Sequence, residues 1–214
     1  MRIAVHPAAQ RRGLGRALLA ALADGAADAD FLGTSFGATP DLLAFWRAAG
    51  LFPVRIGVQR DAASGAHSVM LLRPLSAPGR ELFAGLRAHF QDQLPYRLAD
   101  GLDDLEPDLV ADLARGAVVP RAGNRDAADL AAFAAGRRDY AGVLAALWRA
   151  TWRALSEAED APVARPWLEV LILRVLQKRP WGEVAAHLGV PGRAQVEARL
   201  RVAAGRLAGV REGD

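Results

Sequence analysis

Arg2-Ile3-Ala4-Val5-His6-Pro7 followed by Gln10-Arg11-Arg12-Gly13-Leu14-Gly15-Arg16 decides the fold of this 214-residue chain. An extended apolar run meets two glycines one residue apart, and a helical pattern starts at once. Glycine allows a tight turn without a Cβ in the way, so consecutive N–H groups at a helix N-terminus can face an anion. Arg11, Arg12 and Arg16 add positive charge around that cradle. A Walker loop is excluded by the lack of Gly-Lys-Ser/Thr, and the dinucleotide fingerprint fails because Leu18 stands where its third glycine belongs. The remaining alternative is a plain turn with a helix cap and surface arginines.

Leu14, Leu18 and Leu22, with Leu19 beside them, give a helix face that ends near Gly25, and residues 30–37 read as a buried strand bounded by glycine. Strand, helix and strand predict a parallel crossover unit with residues 2–6 beside residues 30–36. Thr39 as N-cap, Pro40 at the first helical position and Asp41 in the first turn start a second helix, closed by Gly50. Val54, Ile56 and Val58 alternate as a strand. Ser64-Gly65 turns the chain, and residues 68–72 return as the hairpin partner. Pro74, Pro78 and Gly79 place a boundary near residue 78, and everything beyond it reads as helical. Residues 167–207 form two or three helices interrupted at Gly189-Val190-Pro191-Gly192, with the small-residue spacing of a helix-turn-helix. A packed helical hairpin with a solvated arginine face fits the same pattern.

The chain is 52% hydrophobic and 24% charged, with a net charge of only +3 and a sequence pI of about 10.1. Arginine supplies nearly all of the positive charge, since Lys178 is the single lysine. That balance permits a phosphate-rich partner without requiring one. The absence of cysteine removes disulfides, thiol catalysis and cysteine zinc sites, and no metal site is expected. No apolar run reaches membrane-spanning length and no signal-like segment follows Met1, so a cytoplasmic protein without a membrane partner is expected.

The strand, Gln-x-x-Gly-x-Gly and helix in register resemble the acetyl-CoA pyrophosphate loop of the Gcn5-related N-acetyltransferases, the GNATs. Within them, residues 1–73 resemble the tRNA(Met) cytidine acetyltransferases. The resemblance rests on residues 2–7, Gln10-x-x-Gly13-x-Gly15, Ser35-Phe36-Gly37-x-Thr39, Phe45-Trp46, Pro53-Val54-Arg55 and Ser64-Gly65-x-His67-Ser68. It implies an α/β GNAT-like half-domain over residues 1–78, a mixed sheet with crossover helices. An all-α tail follows over 79–214, with a helix-turn-helix-like segment at about 167–207.

The implied activity is transfer of acetyl from acetyl-CoA to N4 of the wobble cytidine in elongator tRNA(Met). ATP enters only through a helicase-like module that lies outside this chain. Because the resemblance begins at the fourth strand of an acetyltransferase domain, the chain is expected to be a C-terminal fragment that lacks its N-terminal half and is inactive alone. By the same resemblance the backbone of Ile3, Ala4 and Val5 runs beside the acetyl-pantetheine arm. Gln10, Arg11, Arg12, Gly13, Leu14, Gly15 and Arg16 cradle the pyrophosphate, and Asp41 contacts the coenzyme.

Asp41 equally suits a helix-dipole role, and strand pairing suits the amides of residues 3–5. His6 is the histidine nearest the expected reaction centre and the candidate proton acceptor; its other reading is strand punctuation. Arg193, Arg199 and Arg201 are the candidate RNA contacts. The competing functions are a GNAT acting on a protein or small-molecule amine and a non-catalytic nucleic-acid-binding helical module.

Overall fold

The computed structural model describes residues 4–26, 28–62, 64–158 and 166–209. It divides into two compact units, Met1–Phe90 and Gln91–Asp214. In the first, a short 3₁₀ turn at Pro7–Ala9 leads to helix α1 (Leu14–Gly25), strand β1 (Phe31–Gly37) and helix α2 (Pro40–Ala48). A hairpin follows, made of β2 (Phe52–Arg60) and β3 (His67–Pro74). Helix α3 (Ala77–Ala99) starts at the expected boundary and runs on, so its last turns belong to the second unit.

The described sheet has the order β1-β3-β2, and both pairings are antiparallel, with Gly33 opposite Leu72 and Ile56 opposite Val69. Its core holds Leu43, Ile56, Val69 and Leu71, all fully buried. The hairpin forms because alternation in β2 and β3 sends one set of side chains inward, and register shifts let the long β2 follow the shorter pairing. Helix α2 begins as its residues dictate: Thr39 is extended and its hydroxyl accepts from the Leu42 N–H at 3.4 Å, with Pro40 in the first turn.

The expected strand over residues 2–6 is corrected by the structure. Arg2 and Ile3 lie outside the described residues, while Ala4–His6 form no strand. The parallel crossover is therefore not formed among the described residues. Their polar groups turn into their own loop instead. The Val5 carbonyl accepts from Gln10 Nε2 at 3.1 Å, the His6 carbonyl accepts from the Ala9 N–H at 2.8 Å, and Pro7 has no N–H to give to a ladder. The apolar face of α1 also differs from expectation. Leu19 is its buried residue, whereas Leu14 and Leu18 are 45% and 52% exposed.

The second unit has helices and no strand among its described residues: α4 (Pro107–Ala114), α5 (Asp126–Ala134), α6 (Leu144–Ser156), α7 (Pro166–Leu171), α8 (Trp181–His187) and α9 (Arg193–Leu207). A π turn at Ile172–Leu176 continues α7. Helix α9 packs on α5, α7 and α8, and Val196, Leu200 and Ala203, which share one face of it, are fully buried. Trp152 is buried with its indole N–H donated to the Val118 carbonyl, and Trp148 stacks on it at 5.8 Å. Among the described residues no helix is long and apolar enough to cross a membrane.

Candidate functional site

Helix α1 begins without a side-chain cap. Gly13 occupies its N-cap position at φ 80°, and the Gly13 carbonyl accepts from the Ala17 N–H. The N–H groups ahead of Ala17 therefore have no partner within the helix. Arg11 is also left-handed, at φ 59°, so the backbone reverses hand on both sides of Arg12. Such alternation curls main-chain amides toward one concave side. A Cβ built on Gly13 would meet nothing within 4 Å, so this glycine serves backbone conformation and leaves open space for an approaching anion.

Gly15 has a different cause. A Cβ there would lie 3.0 Å from the Phe45 ring, so the missing side chain lets α2 approach α1. That approach builds a groove of about 590 Å³, with the glycine loop on one wall and Leu42, Phe45 and Trp46 on the other. Val5, Gln10, Arg11, Gly13, Leu14, Gly15 and Arg16 all line it. Trp46 is fixed at its back by stacking on Phe36 at 6.1 Å, and Phe45 meets Trp46 edge-on at 5.2 Å. The groove thus offers free amides and exposed arginines on one wall and aromatic rings on the other. A ligand with a phosphate group joined to a less polar arm matches that pairing.

The other expected residues are placed less simply. Ile3 lies outside the described residues. Ala4 borders a neighbouring apolar groove with His6, Leu14 and Leu18. Arg12 is exposed beside the groove without lining it. Asp41 is exposed in the first turn of α2 and does not line the groove, whereas its neighbour Leu42 does. The His6 ring accepts at Nδ1 from the Ala8 N–H, 3.3 Å away, and caps the turn at Pro7–Ala9. In that arrangement a neutral ring carries its proton on Nε2, which then donates instead of accepting.

In the second unit Arg193 and Arg199 are exposed on α9. Arg201 turns inward. It pairs with Glu197 at 2.6 Å, donates to the Phe133 and Arg138 carbonyls and lies over the Phe133 ring at 4.5 Å. Its charge is spent on holding α9 against the end of α5.

Phe45 and Trp46, with Leu42 and Ala9, line the groove without having been assigned to it by sequence reasoning. Helical spacing marks them as core, and only the absence of a side chain at Gly15 signals that an aromatic ring comes close to the loop.

Residues 18–76, from within α1 to just past β3, match the family described as GNAT acetyltransferase 2. The matched stretch includes Leu42, Phe45 and Trp46 of the groove's wall. Over nearly its whole length, tail included, the chain is similar to tRNA(Met) cytidine acetyltransferases. It is 45% identical over 208 residues to that of Nitrosococcus halophilus, covering 94% of this chain and 28% of the relative. It is 37% identical to that of Haloarcula marismortui over 88% of this chain and 25% of the relative, and 32% identical to that of Vibrio cholerae over 94% and 27%. The chain thus spans about a quarter of the length of these curated relatives.

Proposed function

We propose that this chain supplies the coenzyme-holding part of an RNA acetyltransferase that forms N4-acetylcytidine at the wobble position of elongator tRNA(Met). The observation that carries this reading is the groove that joins an uncapped, glycine-led helix N-terminus to an aromatic wall within the stretch that matches the GNAT family. The residues present fit acetyl-CoA. Open space at Gly13 leaves room for the pyrophosphate, and Arg11 and Arg16 add charge on the same wall. When bound, acetyl-CoA supplies an activated acetyl thioester. The main chain at Ala4 and Val5 lines the path of the pantetheine arm. Gln10 holds the loop in shape by donating to the Val5 carbonyl.

Asp41, exposed in the first turn of α2 and outside the groove lining, meets only a part of the coenzyme that extends beyond the groove. His6 stands nearest the acetyl end and accepts the amine proton only if its ring lets go of the Ala8 N–H. Arg193 and Arg199 meet RNA phosphates from α9, while Arg201 keeps that helix seated. The helix pair α8 and α9 acts as a helix-turn-helix on the RNA backbone. Any use of ATP belongs to a helicase-like module in another part of a longer protein, and the enzyme works in the cytoplasm.

The test is genetic and chemical together. Deleting the gene should remove N4-acetylcytidine from digests of cellular tRNA read by mass spectrometry. The wild-type gene should restore it, and a Gly13→Glu copy expressed to the same level should not. Persistence of the modified nucleoside after deletion would overturn the reading.

A further inference from the structure

Several arginine side chains of the second unit pair with carboxylates: Arg115 with Asp112, Arg138 with Asp129, Arg149 with Asp126 and Arg201 with Glu197. Around Trp181 the pattern changes. The guanidinium carbons of Arg174 and Arg193 lie 4.6 Å and 4.7 Å from the centroid of the same indole ring. Tyr140 meets that ring edge-on at 5.1 Å, and its hydroxyl donates to the Arg174 carbonyl. Arg174 also donates through Nη1 to the carbonyls of Lys178 and Arg179, while its Nε is buried without a partner. This bonding wraps the turn after the π segment around the Arg174 guanidinium, with Lys178 in a left-handed conformation at φ 59°.

Among the described residues, no carboxylate pairs with Arg174, Lys178 or Arg193. Burial and the neighbouring Arg174 charge both hold the Lys178 ammonium below the usual lysine range. Like charges gathered together, two of them stacked on one indole ring, disfavour the free protein and reward an arriving anion. Lys178 and Arg193 are the exposed members and come from two different segments, whereas Arg174 and Trp181 are half-buried and anchor them. Arginine held flat on a ring keeps its fork of donors oriented for phosphate oxygens.

We propose that Arg174 and Arg193 on Trp181, with Lys178 beside Arg174, make a phosphodiester-binding site for RNA. Lys178 and Arg193 take the phosphate oxygens, and Trp181 and Arg174 position them. The proposal rests on the RNA reading above and adds to it the one lysine and an aromatic platform that reading does not use.

The experiment titrates an elongator methionine tRNA transcript into the 214-residue chain across a sodium chloride series. Each phosphate contact contributes roughly 0.7–0.9 to the slope of log affinity against log salt. The Lys178→Gln, Arg193→Gln double variant should therefore flatten the slope by about 1.5 and weaken low-salt binding about tenfold or more. Arg193→Lys should keep most of the slope. Should the double variant unfold, Arg193→Gln alone, at an exposed position, should still lower the slope by about 0.8.

An unchanged slope in folded variants, or no tRNA binding by the wild type, would overturn the site. So would a slope change seen with inorganic polyphosphate but not with tRNA. Acetyl-CoA affinity is measured alongside: if it persists when the RNA arm fails, only this site falls, and if the wild type binds neither ligand, the acetyltransferase reading falls too.

Discussion

At Gly13 the backbone sits in a left-handed well that costs a residue with a side chain about 1–2 kcal/mol. Gly15, where a Cβ would lie 3.0 Å from the Phe45 ring, is bound by space. The sequence presents the two glycines as one motif, and the structure separates their causes. His6 shows a similar separation. If the ring serves chiefly as the acceptor for Ala8, His6→Asn, which keeps a capping acceptor, should retain most acetyl-transfer activity in an enzyme carrying this chain, while His6→Ala should lose more. A loss of roughly a hundredfold in both variants, with acetyl-CoA affinity intact, would instead mark His6 as the proton acceptor.

Helix starts and the hairpin were legible because their signals are local. Thr39 and Pro40 fix the start of α2 through short-range bonding and a fixed φ, and alternation fixes the faces of β2 and β3. The strand expected at residues 2–6 was not legible in the same way. A strand needs a ladder partner, and here Val5 and His6 give their carbonyls to Gln10 and Ala9.

The arginines of α9 show the same limit. Spacing alone does not distinguish exposed Arg199 from Arg201, whose partners lie on α5 and beyond it. Arg201→Ala should lower the melting temperature and leave the salt slope of tRNA binding unchanged, whereas Arg199→Ala should do the reverse; calorimetry and a salt titration read the two. A pH effect belongs to the start of α5. The Arg149 guanidinium, which donates two bonds to Asp126, holds that carboxyl below the usual carboxylate value, and the Gly123 N–H adds to this. The contribution to stability is therefore present above the unfolded value of about 3.9 and fades as pH falls through the lower folded value. Thermal melts of Asp126→Asn should lie below wild type at pH 7 and converge with it in acid.

For the molecule as a whole, two units carry two chemistries: a groove of glycine loop and aromatic wall in the first, and a cationic platform in the helical second. Composition hinted at the second only through an arginine excess, because a net charge of +3 does not reveal which cations lack carboxylate partners. The groove was half legible: the loop stands in contiguous sequence, while Leu42, Phe45 and Trp46 reach it only through the fold. The central claim is that this groove holds acetyl-CoA by its pyrophosphate. Isothermal titration of acetyl-CoA into the protein and into Gly13→Glu tests it most directly. The wild type should bind, and the variant, with a strained backbone and a carboxylate set against the phosphates, should show no measurable heat while keeping its melting temperature within a few degrees. Equal affinity in the folded variant would contradict the claim.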